Sequence, residues 1–171
     1  ATSFINLPQV FTISLAVSLV PSISESIVRR DVNGVKKKTQ LALKMSMLLG
    51  LPAAMGLFIL ADPIMQMFYP HETKSLGIAL QYLSPAVIFL TLVQTMTGIL
   101  QGMGKERIPV INMTIGALVK AVISYLLTSI PSINIKGAAL GTVIGYAVAA
   151  FLNLFALIKY QGKGLNIISI A

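Results

Sequence analysis

The stretch GAALGTVIGYAVAAFLNLFALI, residues 137–158, runs for 22 residues without a charged side chain. A helix rises 1.5 Å per residue, so about 20 apolar residues cross the hydrocarbon layer of a bilayer. No water is available there to satisfy backbone amides, and a continuously apolar run closes its own hydrogen bonds as a helix. A membrane barrel strand would instead alternate in polarity over about ten residues. Four further apolar stretches lie upstream, at 4–24, 41–61, 78–100 and 108–129, and no connection is longer than 16 residues. The expectation is an all-α membrane protein with five transmembrane helices and no extramembrane domain.

Composition agrees with that reading. Of 171 residues, 56% are hydrophobic and 11% charged, against roughly 25% charged in soluble domains, and the mean hydropathy is +0.85. Cysteine is absent, which excludes disulfides, thiolate chemistry and cysteine-based metal sites. The acids Glu25, Asp31, Asp62, Glu72 and Glu106 fall outside or at the ends of spans, and no two form an acid/base pair. His71 has no second ligand nearby in sequence. No catalytic residue, metal or cofactor is expected. The chain opens at Ala1 with no basic segment before its first apolar run, so no signal peptide is expected, and the chain reads as a piece of a longer polytopic protein.

Lysine and arginine set the expected orientation. Arg29, Arg30, Lys36, Lys37 and Lys38 follow the first span, Lys105 and Arg107 the third, and Lys159 and Lys163 the last, nine on one side. The other side has Lys74 and Lys136, while Lys44 and Lys120 lie inside spans. The loop from Arg29 to Lys38 and the C-terminal tail are therefore expected in the cytoplasm. The cluster reads as a topology signal, with attraction to anionic headgroups of about 1 kcal/mol per basic residue. Nucleic-acid binding would need a soluble face, which the sequence lacks. Pro8, Pro52 and Pro85 fall within spans, where each removes a backbone donor and tends to kink the helix. Pro63 and Pro131 follow span ends.

Two spans carry stripes at steps of four. Gly137, Gly141 and Gly145, continued by Ala149 and Asn153, form a small-residue ridge suited to close helix packing. Asn112, Gly116, Lys120, Ser124 and Thr128 line one face of the fourth span. Lys120 is thirteenth of 22 residues there, and a charge at that depth costs about 2.5–3.5 kcal/mol on insertion scales. It reads as a cationic contact for an anionic substrate or coupling site, or else as a lysine satisfied by carbonyls or by an acid on another helix. Thr91, Gln94, Thr95, Gly98 and Gln101 make a second polar face, and Asn6 and Gln9 hint at a third. Such faces either enclose an aqueous cavity, with Lys120, Asn112, Ser124, Gln94 and Thr91 as candidates to line it, or make interhelical hydrogen bonds of about 0.6 kcal/mol each. Gly102, Gly104 and Lys105 lack the spacing of a phosphate-binding loop and form a short turn between helices.

The run Val20-Pro21-Ser22-Ile23-Ser24-Glu25 with Asp31 and the lysine cluster, then Ile99-Leu100-Gln101-Gly102-Met103-Gly104-Lys105 with Pro109 and Lys120, resembles the polysaccharide-exporter branch of the multidrug/oligosaccharidyl-lipid/polysaccharide flippase superfamily. Within that branch the chain is similar to the stage V sporulation protein B group. The resemblance implies a transporter of two six-helix lobes with a central cavity, of which this chain supplies most of the second lobe, its eighth to twelfth helices. The implied partners are the lipid bilayer, a lipid-linked saccharide substrate and an N-terminal lobe of the same protein. The implied function is moving a lipid-linked oligosaccharide or peptidoglycan precursor to the outer leaflet by alternating access. A cation-coupled multidrug extruder of the same superfamily and a non-transporting scaffold for cell-wall synthesis are the alternatives. The resemblance also marks Gln101, Gly102, Gly104 and Lys105 as the family-motif turn.

Overall fold

The structure is a computed structural model that describes the backbone of residues 2–68, 73–129 and 135–162, with side chains at 13–14, 16–68, 76–129 and 136–160. Every regular element among the described residues is a helix: α1 (Thr2–Val28), α2 (Val32–Ile59), α3 (Ala61–Phe68), α4 (Thr73–Leu83), α5 (Pro85–Gly102), α6 (Arg107–Thr128) and α7 (Ile135–Gly162). Residues 32–59, 85–102, 107–128 and 136–160 form helices long and apolar enough to cross a membrane, and α1 is apolar over Ala16–Val28. His71, Glu72 and Pro131, and the side chains of Asn6, Gln9, Lys74 and Lys163, lie outside the described residues.

Helices and apolar spans do not share boundaries, and local chemistry explains why. The expected 25–40 connection is only three residues long, because α1 stops late and α2 starts early. The Arg30 and Asp31 N–H groups donate to Ile27 O and Ser26 O, both at 2.9 Å, while Arg30 takes φ +55°. This is a Schellman stop with arginine where glycine is usual. Asp31 then caps α2, its Oδ1 accepting from the Gly34 N–H at 2.8 Å. Lys36, Lys37 and Lys38 therefore ride on the first turns of α2 rather than on a loop.

The 78–100 stretch is two helices, α4 and α5, meeting at Ser84. Pro85 has no N–H to give the carbonyl of Gln81, and the Ser84 hydroxyl donates to that carbonyl instead, at 2.8 Å. Pro63 lies inside the first turn of α3, where a missing donor costs nothing. At its far end α5 repeats the stop used by α1: Gly104 has φ +70°, and Lys105 N–H donates to Leu100 O at 2.8 Å.

Central α5 packs against α1, α2 and α7, and α6 leans mainly on α7. Ile23, Val93, Met96, Ile99, Leu100, Ala149 and Leu157 form the core at one end of α5, and Ala54, Leu83, Val87, Leu90 and Ala139 the core at the other. Cross-links at the first end fix the helix directions. The Ser24 hydroxyl donates to Gly102 O at 3.0 Å, Lys38 Nζ donates to Ser22 O at 2.7 Å, and Lys105 Nζ lies 5.5 Å from the Tyr160 ring centre. Arg29, Arg30, Lys36, Lys37, Lys38, Lys105, Arg107 and Lys159 thus gather at one end of the bundle. Lys136 lies at the opposite end, 5.7 Å from the Tyr82 ring centre.

Candidate functional site

The two four-residue stripes meet. Helices α6 and α7 run antiparallel, and each step of four forward on α6 meets a step of four backward on α7. The Asn112 Nδ2 donates to Asn153 Oδ1 at 2.8 Å. A Cβ built on Gly116 would stand 2.6 Å from Gly145 O and 3.0 Å from Ala149 Cβ, and one on Gly145 would stand 2.6 Å from Lys120 Cβ. A Cβ on Gly141 would overlap the Ser124 hydroxyl and lie 2.9 Å from its backbone nitrogen, and one on Gly137 would lie 2.8 Å from the Leu127 carbonyl carbon. Glycine is required along this ridge because the backbones approach too closely for any side chain. The Thr128 hydroxyl turns back onto the Ser124 carbonyl.

Lys120 sits in the middle of this seam. Its Cβ rests on Gly145 and the residue is half-buried. Among the described residues no hydrogen bond or ion pair reaches its ammonium group, and the one ion pair found, Arg29–Glu25 at 2.7 Å, is exposed near a helix end. Glu25, Asp31, Asp62 and Glu106 are all exposed and belong to other helix ends. A charge at this depth is costly in hydrocarbon unless water, carbonyls or an anion lies beside it.

Asn153 is fully buried, and its Nδ2 has no partner among the described residues. In sequence it read only as the continuation of the small-residue ridge. The available signal was that Asn112 and Asn153 stand at matching ends of two antiparallel stripes.

The polar face of α5 is arranged differently. Thr91 is buried and donates to Ile88 O at 2.9 Å, and Thr95 is buried and donates to Thr91 O at 3.0 Å. Both hydroxyls are thus satisfied by their own helix. The Thr91 hydroxyl also lies against Gly50 of α2. Asn112, Lys120 and Ser124 therefore share the α6–α7 seam, while Thr91 belongs to the α2–α5 seam and Gln94 stays half-buried on α5. In the turn after α5, Gly102 lies against Ile23 of α1 and Gly104 supplies the left-handed stop. Lys105 stacks on Tyr160, and Gln101 is exposed.

Long apolar helices, a charge held inside one of them and glycine-packed seams define a polytopic α-helical membrane protein. Comparison with known proteins narrows this. A model of the family described as Lipid II flippase MurJ matches residues 1–170, and the chain belongs to that family. It is 35% identical over 153 residues to an uncharacterized membrane protein, YabM, of Bacillus subtilis (strain 168), covering 90% of this chain and 28% of that protein. Stage V sporulation protein B of the same organism is 28% identical over 159 residues, covering 93% of this chain and 30% of the relative. Lipid II flippase MurJ of that organism is 28% identical over 156 residues, covering 90% and 28%. The chain thus spans about three-tenths of the length of the curated relatives it matches. No solved structure matches.

Proposed function

We propose that this chain forms the helical core of one lobe of a flippase that moves a lipid-linked saccharide, a peptidoglycan precursor or related cell-wall intermediate, to the outer leaflet by alternating access. The observation that carries this reading is the family match over residues 1–170, and the chain is separately similar to relatives named for lipid II flipping and for sporulation. Such a protein must hold a phosphate-bearing sugar head in a polar, positive space while the lipid tail stays in the bilayer. Lys120 meets that need as a cation near the middle of an apolar helix, without a counter-ion among the described residues. Asn112 and Ser124, expected beside it as cavity residues, are instead engaged in the α6–α7 seam, Asn112 with Asn153 and Ser124 against Gly141, so Lys120 is the residue of this stripe that carries the reading.

In this reading the basic end of the bundle faces the cytoplasm, as the nine-to-two asymmetry of lysine and arginine favours. The remaining helices of the transporter, including an N-terminal lobe of the same protein, complete the cavity from outside this chain. Neither drug extrusion nor a scaffold role draws support from the relatives' names. The test is translocation of a fluorescent lipid-linked precursor by the full-length protein in proteoliposomes. Transport at the rate of protein-free vesicles, from protein that is folded and inserted, overturns the proposal.

A further inference from the structure

The corner between α1 and α2 sets an asparagine beside a glycine. Asn33–Gly34 is the one Asn-Gly step in the 171 residues, and it falls in the first turn of α2, where Asn33 is exposed. Asparagine before glycine is the pair most prone to spontaneous deamidation, because glycine has no side chain to keep its backbone nitrogen from the preceding amide. The α2 cap creates this pair. A Cβ on Gly34 would stand 2.7 Å from Asp31 Cγ, so the capping rotamer of Asp31 fits only over glycine. The same cap restrains the reaction, which needs the Gly34 nitrogen, stripped of its proton, to reach Asn33 Cγ. That N–H donates to Asp31 Oδ1 at 2.8 Å, and the Val35 N–H donates to Asp31 O at 3.1 Å. The two bonds hold the turn helical, and a helical backbone keeps the following nitrogen out of line with the side-chain carbonyl.

We propose that Asn33 is a spontaneous deamidation site, latched by the Asp31 cap and released when the first turn of α2 opens locally. In the open turn hydroxide takes the Gly34 amide proton and the nitrogen bonds to Asn33 Cγ. The Cγ–Nδ2 bond breaks, and Nδ2 leaves as ammonia with a proton from water. Water then opens the succinimide at either carbonyl, giving aspartate or isoaspartate. The sum is one water consumed and one ammonia released, with no oxidant or cofactor. Either product adds a negative charge near Arg30, Lys36 and Lys37. Aspartate suits a helix N-terminus, whereas isoaspartate inserts an extra backbone carbon and cannot complete the turn. The site is independent of what the protein transports.

The experiment follows Asn33 by peptide mass spectrometry in the full-length protein, folded in detergent micelles and unfolded in denaturant, at neutral and mildly alkaline pH. In the folded wild type, Asn33 is expected to lose its amide ahead of Asn112, at a rate that rises with hydroxide and stays below the rate in denaturant. Asp31→Ala should speed the loss in the folded protein about fivefold, the change in open population for a cap of about 1 kcal/mol, and change nothing in denaturant. Asp31→Asn, an equally good cap, should keep the slow rate, which separates the latch from a general loss of fold. An Asn33 amide that lasts as long as that of Asn112 in the folded wild type overturns the proposal. So does a folded-state rate that Asp31→Ala leaves unchanged, an equal acceleration by Asp31→Ala in denaturant, or a rate in Asp31→Asn as fast as in Asp31→Ala.

Discussion

Asn112 and Asn153 join α6 to α7 through one hydrogen bond of 2.8 Å, and Asn153 is fully buried with the other half of its amide unpartnered among the described residues. Each member of such a pair depends on the other. Removing one partner leaves a buried amide with no bond at all, whereas removing both removes the demand.

We predict that Asn112→Leu destabilises the full-length protein by about 1–3 kcal/mol, the cost of orphaning a buried polar group. The double variant Asn112→Leu/Asn153→Leu should recover a large part of that loss. A double-mutant cycle from thermal melting in detergent measures the coupling. Additive losses in the cycle would show that the hydrogen bond carries no interaction energy.

The glycine ridge yields a steric prediction. A side chain at position 141 collides with Ser124 backbone and hydroxyl, whereas a Cβ at Gly56 on α2 meets nothing within 4 Å. Gly141→Leu should therefore unfold or split the α6–α7 pair, and Gly56→Ala should be neutral or stabilising by about 0.4–1 kcal/mol through reduced unfolded-chain entropy. Wild-type melting of a Gly141→Leu protein, read by fluorescence-detected size exclusion, would refute the close approach.

The two left-handed stops give a paired comparison. Arg30 and Gly104 occupy the same turn position, φ +55° and +70°, yet only one is glycine. A residue with a Cβ pays roughly 1–2 kcal/mol there. Arg30→Gly should raise the melting temperature and Gly104→Ala should lower it, both with little change in packing, since a Cβ at Gly104 meets nothing within 4 Å. Shifts of the same sign in the two variants would show that backbone strain does not govern these turns.

Much of this architecture is legible in the sequence, because hydrocarbon imposes a long, continuous apolar signal that local chemistry cannot hide. The stops are less legible. Nothing in the sequence marks Arg30 as left-handed, because glycine is the residue that announces such a turn. Lys38 reads as one more topology charge, yet its ammonium is tied to the Ser22 carbonyl, a tertiary contact that no spacing reports. The two stripes are each visible alone. That they face one another depends on the rotation of two helices about their axes, which a periodicity of four leaves open by several tens of degrees over five turns.

The orientation is tested by chemistry that the composition makes simple. With no native cysteine in this chain, Asn33→Cys reports one exposed position at the basic end. In a full-length protein cleared of other cysteines, an impermeant maleimide should leave it unlabelled in intact cells and label it after permeabilisation. Labelling in intact cells reverses the proposed topology.

Lys120 separates a transport role from a structural one. If its ammonium meets a phosphate or acidic sugar in the cavity, Lys120→Ala removes that contact while also relieving a desolvation cost of about 2.5–3.5 kcal/mol. The expected result is translocation reduced tenfold or more, about 1.4 kcal/mol in the barrier, with melting unchanged or raised. Lys120→Arg should keep part of the activity, because charge persists while the fork of donors and its reach differ. A lysine paired with an acid on another helix of the full-length protein behaves in the opposite way. Its removal strands a buried carboxylate, at about 3–5 kcal/mol, and folded protein is lost along with activity. The packing of its Cβ on Gly145 gives an internal control: Lys120→Met keeps the stem against α7 and deletes only the charge. Normal precursor translocation by Lys120→Met would remove the lysine from the substrate path, and inactivity with wild-type melting would leave charge as the property that matters.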